Sequence, residues 1–359
     1  MRSVFKLSLL AVAMIALVAG SAFADAAVSG DISSSFGQYT NDHASMGAAG
    51  KKSGGYLGAL ESSVYVSGGT GNLTAKIRFR VRESSSINTI RGNLYWKTSD
   101  MVTVNFHGRS LGMNGFTTNA EVDNVRTAAL DHDITDVSGG PWNREMIGVD
   151  LNVGPSVSLA MASSCQFCNV PKGSTNEGQS ALMLGVAGKA GAISYNFGFQ
   201  SGSGKLMPAA TSYSVSQSGA SAGTIVTTNP AAVDETATKG TSMVLGVGFA
   251  GDGFSVGFDY ATNGSAEVKD LTNAVISQEI KMSGMMLGVK AAGVGFSYYT
   301  QSKTTGTGDP QKEDEIGVSY KIPVGDAATS VEVRQRTGKP SVGTGNKEML
   351  IAFGAKTKF

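Results

Sequence analysis

Histidine and cysteine are nearly missing: 359 residues contain three of the first and two of the second. Structural zinc needs about four converging Cys or His ligands, and no such set stands together here, so no metal site is expected. Cys165-Gln166-Phe167-Cys168 has no histidine after it, which excludes covalent haem attachment, and no βαβ context that would make it a thioredoxin-like site. A catalytic nucleophile needs an adjacent base. His43, His107 and His132 have no serine that can be placed beside them, so the sequence points to no enzyme and no cofactor. Charge of one sign is also lacking. The 29 basic and 28 acidic residues nearly cancel, which argues against a nucleic-acid partner. Proline is scarce, at 8 residues. After the N-terminus no apolar run approaches the roughly 18 residues a spanning helix requires.

What is present is glycine, 48 residues of it, and a hidden alternation of apolar and polar side chains. The N-terminus reads as an export signal. Arg2 and Lys6 precede an apolar run, Leu7 to Val18, and the small-x-small site Ala22-Phe23-Ala24. Cleavage after Ala24 is expected, leaving a mature chain of residues 25–359. In an oxidising compartment Cys165 and Cys168 are expected to close a small disulfide loop.

The alternation is clearest in Leu73 to Arg82. Leu73, Ala75, Ile77, Phe79 and Val81 form one set, and Thr74, Lys76, Arg78, Arg80 and Arg82 the other. Successive strand residues face opposite ways, so this strand has an oily face and a cationic face. In a transmembrane barrel the first meets lipid and the second a water-filled lumen. A one-residue slip would carry four cations into lipid at about 2–4 kcal/mol each near the midplane, so the register is strongly specified. Similar runs recur from Val28 to Phe359, separated by turn signals such as Gly251-Asp252-Gly253. They number about 16. Short turns and long connections alternate from the second strand onward, as expected for short periplasmic turns and long external loops. The expected fold is therefore an all-β antiparallel transmembrane barrel.

Two stretches interrupt the pattern. Residues 110–143 contain Glu121, Asp123, Asp131, Asp133 and Asp136, with a short helix expected over Asn119 to Leu130, capped by Asn119. Ser201 to Gly240 is rich in Ser, Thr, Ala and Gly and reads as a long loop. Asp131-His132-Asp133 invites a metal or acid–base reading, but consecutive residues rarely converge on one ligand. Gly246 to Gly251 matches a dinucleotide fingerprint by letter, yet it crosses a strand and a turn with no helix after it, so it lacks the required context.

These features resemble the general, non-specific Gram-negative porins over residues 25–359. The resemblance rests on the strand count, the turn and loop alternation, the long segment after the fifth strand and the terminal Phe359. It implies an outer-membrane location and passive diffusion of small hydrophilic solutes and ions. It also implies a homotrimer, and a terminal aromatic read by the barrel-assembly machinery. In that family the loop after strand five folds into the barrel, and its acids face a basic ladder. Here the loop would be residues 110–143, and Lys76, Arg78, Arg80, Arg82, Arg91, His107 and Arg109 match the ladder. No Pro-Glu-Phe-Gly-Gly-Asp type motif occurs in the loop. Inward basics also include Lys290, Lys321, Arg334, Arg336, Lys356 and Lys358, against Asp31, Glu61, Asp150, Asp259, Glu315 and Glu332. This balance favours weak anion preference, because charges lining a narrow pore set its selectivity. A substrate-selective channel or a surface receptor or adhesin is the alternative, carried by Ser201 to Gly240.

Overall fold

The computed structural model of the chain describes residues 27–41, 52–57, 61–82, 85–109, 113–120, 137–138, 145–163, 175–207, 212–215, 225–228, 238–269, 275–324, 327–339 and 346–358. The strands, in chain order, begin with β1 (Ala27–Asn41), β2 (Lys52–Leu57), β3 (Glu61–Thr70), β4 (Leu73–Arg82), β5 (Ser85–Lys97) and β6 (Val102–Arg109). There follow β7 (Met146–Asn152), β8 (Ser156–Ala162), β9 (Thr175–Ala190), β10 (Ile193–Met207), β11 (Ser212–Val215), β12 (Ile225–Thr228) and β13 (Thr238–Gly251). The last are β14 (Phe254–Ser265), β15 (Val268–Lys269), β16 (Val275–Ser277), β17 (Ile280–Ala291), β18 (Val294–Thr305), β19 (Gln311–Val324), β20 (Ala327–Lys339) and β21 (Asn346–Lys358).

Each barrel strand pairs antiparallel with its neighbour. β1 closes the ring by pairing with β21 on one side and with β2 and β3 on the other. β2 and β3 are two parts of one barrel strand, and the result is a closed 16-stranded antiparallel barrel. Closure leaves no unpaired sheet edge, which a chain in lipid requires because hydrocarbon offers no hydrogen bonds to exposed backbone.

One register runs round the wall. Val66 lies opposite Ile77, Leu94 opposite Phe106, Val149 opposite Leu159, Phe197 opposite Leu245 and Phe258 opposite Leu287. These outward positions form a continuous apolar belt. Large side chains such as Trp96, Phe106, Leu182, Val247 and Tyr320 are exposed on it. Trp96, Phe249, Phe254 and Tyr320 lie at the rim carrying the short turns, where aromatic girdles are placed. The Phe249 and Phe254 rings pack across one such turn at 5.5 Å. No helix among the described residues is long and apolar enough to cross a membrane, and the strands themselves do the crossing.

The structure corrects several sequence expectations. Strands run beyond the apolar belt, so Ser201 to Gly240 is not one loop. β10 continues to Met207, β13 begins at Thr238, and a separate hairpin, β11–β12, stands between them. Above the belt both faces of a strand are polar, so periodicity in hydropathy disappears although pairing continues. Short and long connections do not alternate strictly either, because only residues 83–84 separate β4 from β5. Cys165, Cys168, Phe359 and the acids Glu121, Asp123, Asp131, Asp133 and Asp136 lie outside the described residues, as do residues 1–24.

Candidate functional site

The lumen is built by two contrasting walls. On β4 the inward set contains Lys76, Arg78 and Arg80, and Arg91 of β5 lies directly opposite Arg78. Like charges at directly opposed positions repel, so this cluster depends on neighbours and solvent. Tyr65 of β3 supplies one neighbour: its ring centroid is 5.3 Å from Lys76 Nζ and 5.6 Å from Arg78 Cζ, within cation–π range. Ser63 supplies another, its Oγ accepting from Arg78 Nε at 3.2 Å and Nη2 at 2.8 Å. Lys76 is exposed, and Arg78, Arg80 and Arg91 are half-buried. Arg82 and Arg109 fall at the ends of β4 and β6, and their side chains lie outside the described set. The structure thus brings four of the ladder's cations onto one inward surface.

His107 is inward too, but it is not part of that open surface. It is 7 % exposed, covered by the segment that follows β6.

That segment enters the barrel. Its described residues, 113–120 and 137–138, lie against the inner wall of β8 to β18. Phe116 is 1 % exposed and Ala120 and Val137 are 0 % exposed. They pack with Met113 against inward Ala160, Ala181, Met183, Val244, Ala261 and Met286. Fully burying a side chain such as Phe116 contributes about 1.5–3 kcal/mol. Inward Ala181 and Met183 of β9 and Val244 of β13 are therefore apolar, unlike the polar lumen positions expected of a simple barrel. The cause is that they face protein rather than water.

Polar anchors fix the segment along the same wall. Asp259 of β14 accepts from Thr118 Oγ1 at 2.6 Å and from the backbone N–H groups of Asn119 and Ala120, each at 2.7 Å. Asn196 of β10 donates to the carbonyls of Gly115 (3.0 Å) and Thr117 (2.9 Å). Ser194 donates to Asn119 Oδ1 at 2.8 Å, and Asn119 Nδ2 donates to Asn196 Oδ1. The side chain of Asn119 is thus engaged by the wall, and the helix expected after it, over residues 121–130, lies outside the described residues. Farther along, Gln200 Nε2 and Ser242 Oγ both donate to the Ser138 carbonyl.

Glycine makes the approach possible. Inward Gly185, Gly198, Gly246 and Gly257 sit on four adjacent strands beneath the segment. A Cβ on Gly185 would overlap the Asn114 carbonyl, one on Gly257 the Asn119 carbonyl, and one on Gly198 would stand 2.9 Å from the Gly115 oxygen. Gly246, whose letters suggested a dinucleotide loop, serves as part of this seat.

A third group of charges lies on β19 to β21. Arg334 pairs with Glu315 at 3.0 Å and Glu332 at 3.5 Å. Arg336 reaches Glu313 at 2.8 Å, Glu315 at 3.4 Å and Glu348 at 3.6 Å. Two guanidiniums therefore stand among four carboxylates, most of them buried. Arg334 and Arg336 cannot count as unmatched cations in a selectivity argument. Glu313 and Glu348 were missed in the sequence because each lies just beyond the stretch where alternation is legible. Lys356 similarly lies 3.7 Å from Asp31. Among the described residues no cluster of His, Cys, Asp and Glu is arranged to hold a metal ion.

The molecule is thus a transmembrane β-barrel with an inward-folded segment, an apolar exterior and a charged interior. No family model matches the sequence, and no curated protein matches it. Solved structures do share its fold. The outer membrane channel DcaP of Acinetobacter baumannii superposes with a TM-score of 0.64 at 13 % identity, over 93 % of this chain and 97 % of that one. A loop L8 deletion mutant of OmpT, an outer membrane protein of Vibrio cholerae, gives 0.59 at 12 % identity, over 93 % and 99 %. An anion-selective porin from Comamonas acidovorans gives 0.56 at 12 % identity, over 93 % and 100 %.

Proposed function

We propose that this chain is an outer-membrane porin through which small hydrophilic solutes and ions diffuse, with a weak preference for anions. The carrying observation is the division of the lumen. Lys76, Arg78, Arg80 and Arg91 form a cationic face on β4 and β5, while the inserted segment occupies the wall centred on β10 to β14. Among the 16 barrel strands β4 is third and β14 eleventh, eight apart, which is half the circumference. Barrels of about this strand number leave an aqueous channel. A segment on one side and cations on the other narrow that channel and set a field across it. The group on β19 to β21, two guanidiniums among four carboxylates, is net acidic and works against an anion preference, so that preference rests on the β4–β5 face and is weak. In this reading the signal is removed after Ala24, Cys165 and Cys168 are joined, Phe359 is read during assembly, and the barrel trimerises in the outer membrane.

Planar-bilayer recording in a salt gradient tests the proposal. The expected result is discrete conductance steps with a reversal potential favouring anions, and a shift toward cations in the Lys76→Gln/Arg78→Gln double variant. Strong cation selectivity in the native protein would overturn the anion preference. A folded, heat-modifiable barrel without conductance would overturn the channel. It would favour a receptor or adhesin, with the β11–β12 hairpin in the connection between β10 and β13 as its candidate binding element.

A further inference from the structure

A second group of cations stands at the mouth of the lumen that carries the short turns. Lys189 is the penultimate residue of β9, Lys290 that of β17 and Lys358 the last of β21, while Lys321 lies three residues before the end of β19. Each has the inward parity of its strand, shared with Met183, Met286, Leu350 and Glu315 in turn. At this rim Lys97 is paired with Asp100 and Lys356 lies near Asp31. Lys189, Lys290, Lys321 and Lys358 have no ion pair among the described residues.

Two of these lysines share one pocket. Lys290, half-buried, and Lys321, exposed, line an open hollow of about 350 Å³ together with Ser255 of β14 and the turns that join β13 to β14 and β17 to β18. Ser255 lies directly opposite Lys290 on one side, and Gly295 of β18 lies opposite it on the other. β18 thus separates the two lysine-bearing strands, and its inward position beside Lys290 is glycine. The carbonyl of Gly293, in the turn before β18, accepts from the Lys321 N–H at 2.8 Å, which fixes β19 against that turn. Two strand spacings and one inward step put the lysine stems about 10–12 Å apart, over bare backbone. Flexible four-carbon stems let both ammonium groups converge on one group held between them.

Charge selects the guest. No carboxylate lines the pocket. The inward acids farther up the same strands, Asp259 and Glu315, are held by the inserted segment and by Arg334. An anion between two ammonium groups replaces their repulsion with attraction, which neutral water does not do. Ammonium donors and the Ser255 hydroxyl suit the oxygens of a phosphate or carboxylate. We infer that this pocket is an oxyanion subsite, in which Lys290 and Lys321, with Ser255, hold the phosphate or carboxylate group of a solute at the short-turn mouth. It gives anions a station on the wall whose upper part, the net acidic group of β19 to β21, repels them. Its role in permeation rests on the channel reading, whereas binding in the pocket does not.

Pyridoxal 5′-phosphate is the probe, because it carries a phosphate beside an aldehyde that reacts with lysine amines. The folded full-length mature barrel, in a neutral sugar detergent, is treated briefly with it and then with borohydride, and peptide mass spectrometry reads the labelled lysines. Label is expected on Lys290 and Lys321 in preference to Lys189 and Lys358, and inorganic phosphate should remove that preference. Pyridoxal, which lacks the phosphate, should show none. Lys321→Gln should lower the labelling of Lys290, with heat-modifiability showing that the barrel still forms. Even labelling of the four lysines, the same preference with pyridoxal, or undiminished Lys290 labelling in Lys321→Gln would overturn the site. Loss of the preference in phosphatidylcholine nanodiscs would mean that a lipid headgroup fills the pocket, and would overturn the solute assignment. In bilayers, phosphate added on one side should reduce the chloride current, and Lys290→Gln/Lys321→Gln should lose that effect. Equal reduction in a conducting native and double-variant barrel would overturn the pocket's place on the solute path. Selective labelling of a barrel that does not conduct would overturn the channel reading alone.

Discussion

The wall of β3 to β5 and the wall of β8 to β17 are made from the same kind of strand but solve different problems. On the first, outward apolar residues alternate with inward polar ones, the charge being concentrated in Lys76, Arg78, Arg80 and Arg91, because one face meets lipid and the other meets water. On the second, the inward face carries glycine, alanine and methionine, because it meets the chain's own inserted segment. Ala181-Leu182-Met183-Leu184 is apolar on both faces, and Met285-Met286-Leu287 repeats the pattern. Two-sided apolar strands are ones covered on both sides. Loss of alternation is therefore information in its own right: it marks where a barrel strand has a protein neighbour inside. The same distinction governs charge. On the wet wall Lys76 and Arg78 rest on Tyr65, and Arg78 also on Ser63, while the cations of β20 are matched by neighbouring glutamates.

The largest expected effect comes from unbalancing charge that water does not reach. Arg334→Met leaves Glu315 and Glu332, both nearly inaccessible, without their shared guanidinium. Removing one partner of a buried pair costs about 3–5 kcal/mol, and urea unfolding of the barrel should register it. A variant as stable as the native protein would mean that this cluster is wetter than its burial indicates. Next is release of the docked segment. Asp259→Ala removes the acceptor for Thr118, Asn119 and Ala120, at about 1–3 kcal/mol for each group left unsatisfied. Gly257→Leu attacks the same contact by overlap with the Asn119 carbonyl. Both should raise single-channel conductance and open-channel noise. If neither does, the segment does not limit the pore. The corresponding change on the wet wall, Lys76→Gln with Arg78→Gln, should alter selectivity with little change in stability.

The smallest effect is expected in the turn between β5 and β6. There Lys97 lies 2.7 Å from Asp100 and, chiefly through this hydrogen bond, holds the carboxyl below its ordinary range. Because the folded value is depressed, the contribution is present above the unfolded carboxylate range and disappears as pH falls through the folded value. The pair is solvent-exposed, so Asp100→Asn should differ only slightly from the native protein at neutral pH, and the difference should vanish in acid. Urea midpoints across that range would check it. A large neutral-pH difference would mean that the turn contributes more to the barrel than an exposed pair can.

Much of this architecture was legible beforehand, for a local reason. Lipid outside and water inside impose a period of two on every strand, so Leu73 to Arg82 declared its own register, and repetition of that pattern led to the barrel and its strand number. The basic face of β4 was legible on the same ground. The inserted segment could be located by its length and interruption of the pattern, but nothing local in Asn119 or Asp259 says that they meet. They are 140 residues apart, and only closure of the ring brings β14 beneath the segment. The seat of Gly185, Gly198, Gly246 and Gly257 likewise has no meaning until four strands lie side by side. The burial of His107 follows from where the inserted segment comes to rest, whereas the pairing of Arg334 and Arg336 follows from the hairpin register of β19, β20 and β21. Sequence determined which face each side chain takes, because that depends on its immediate neighbours. Tertiary structure decided which inward faces stay wet, because that depends on where a distant segment comes to rest.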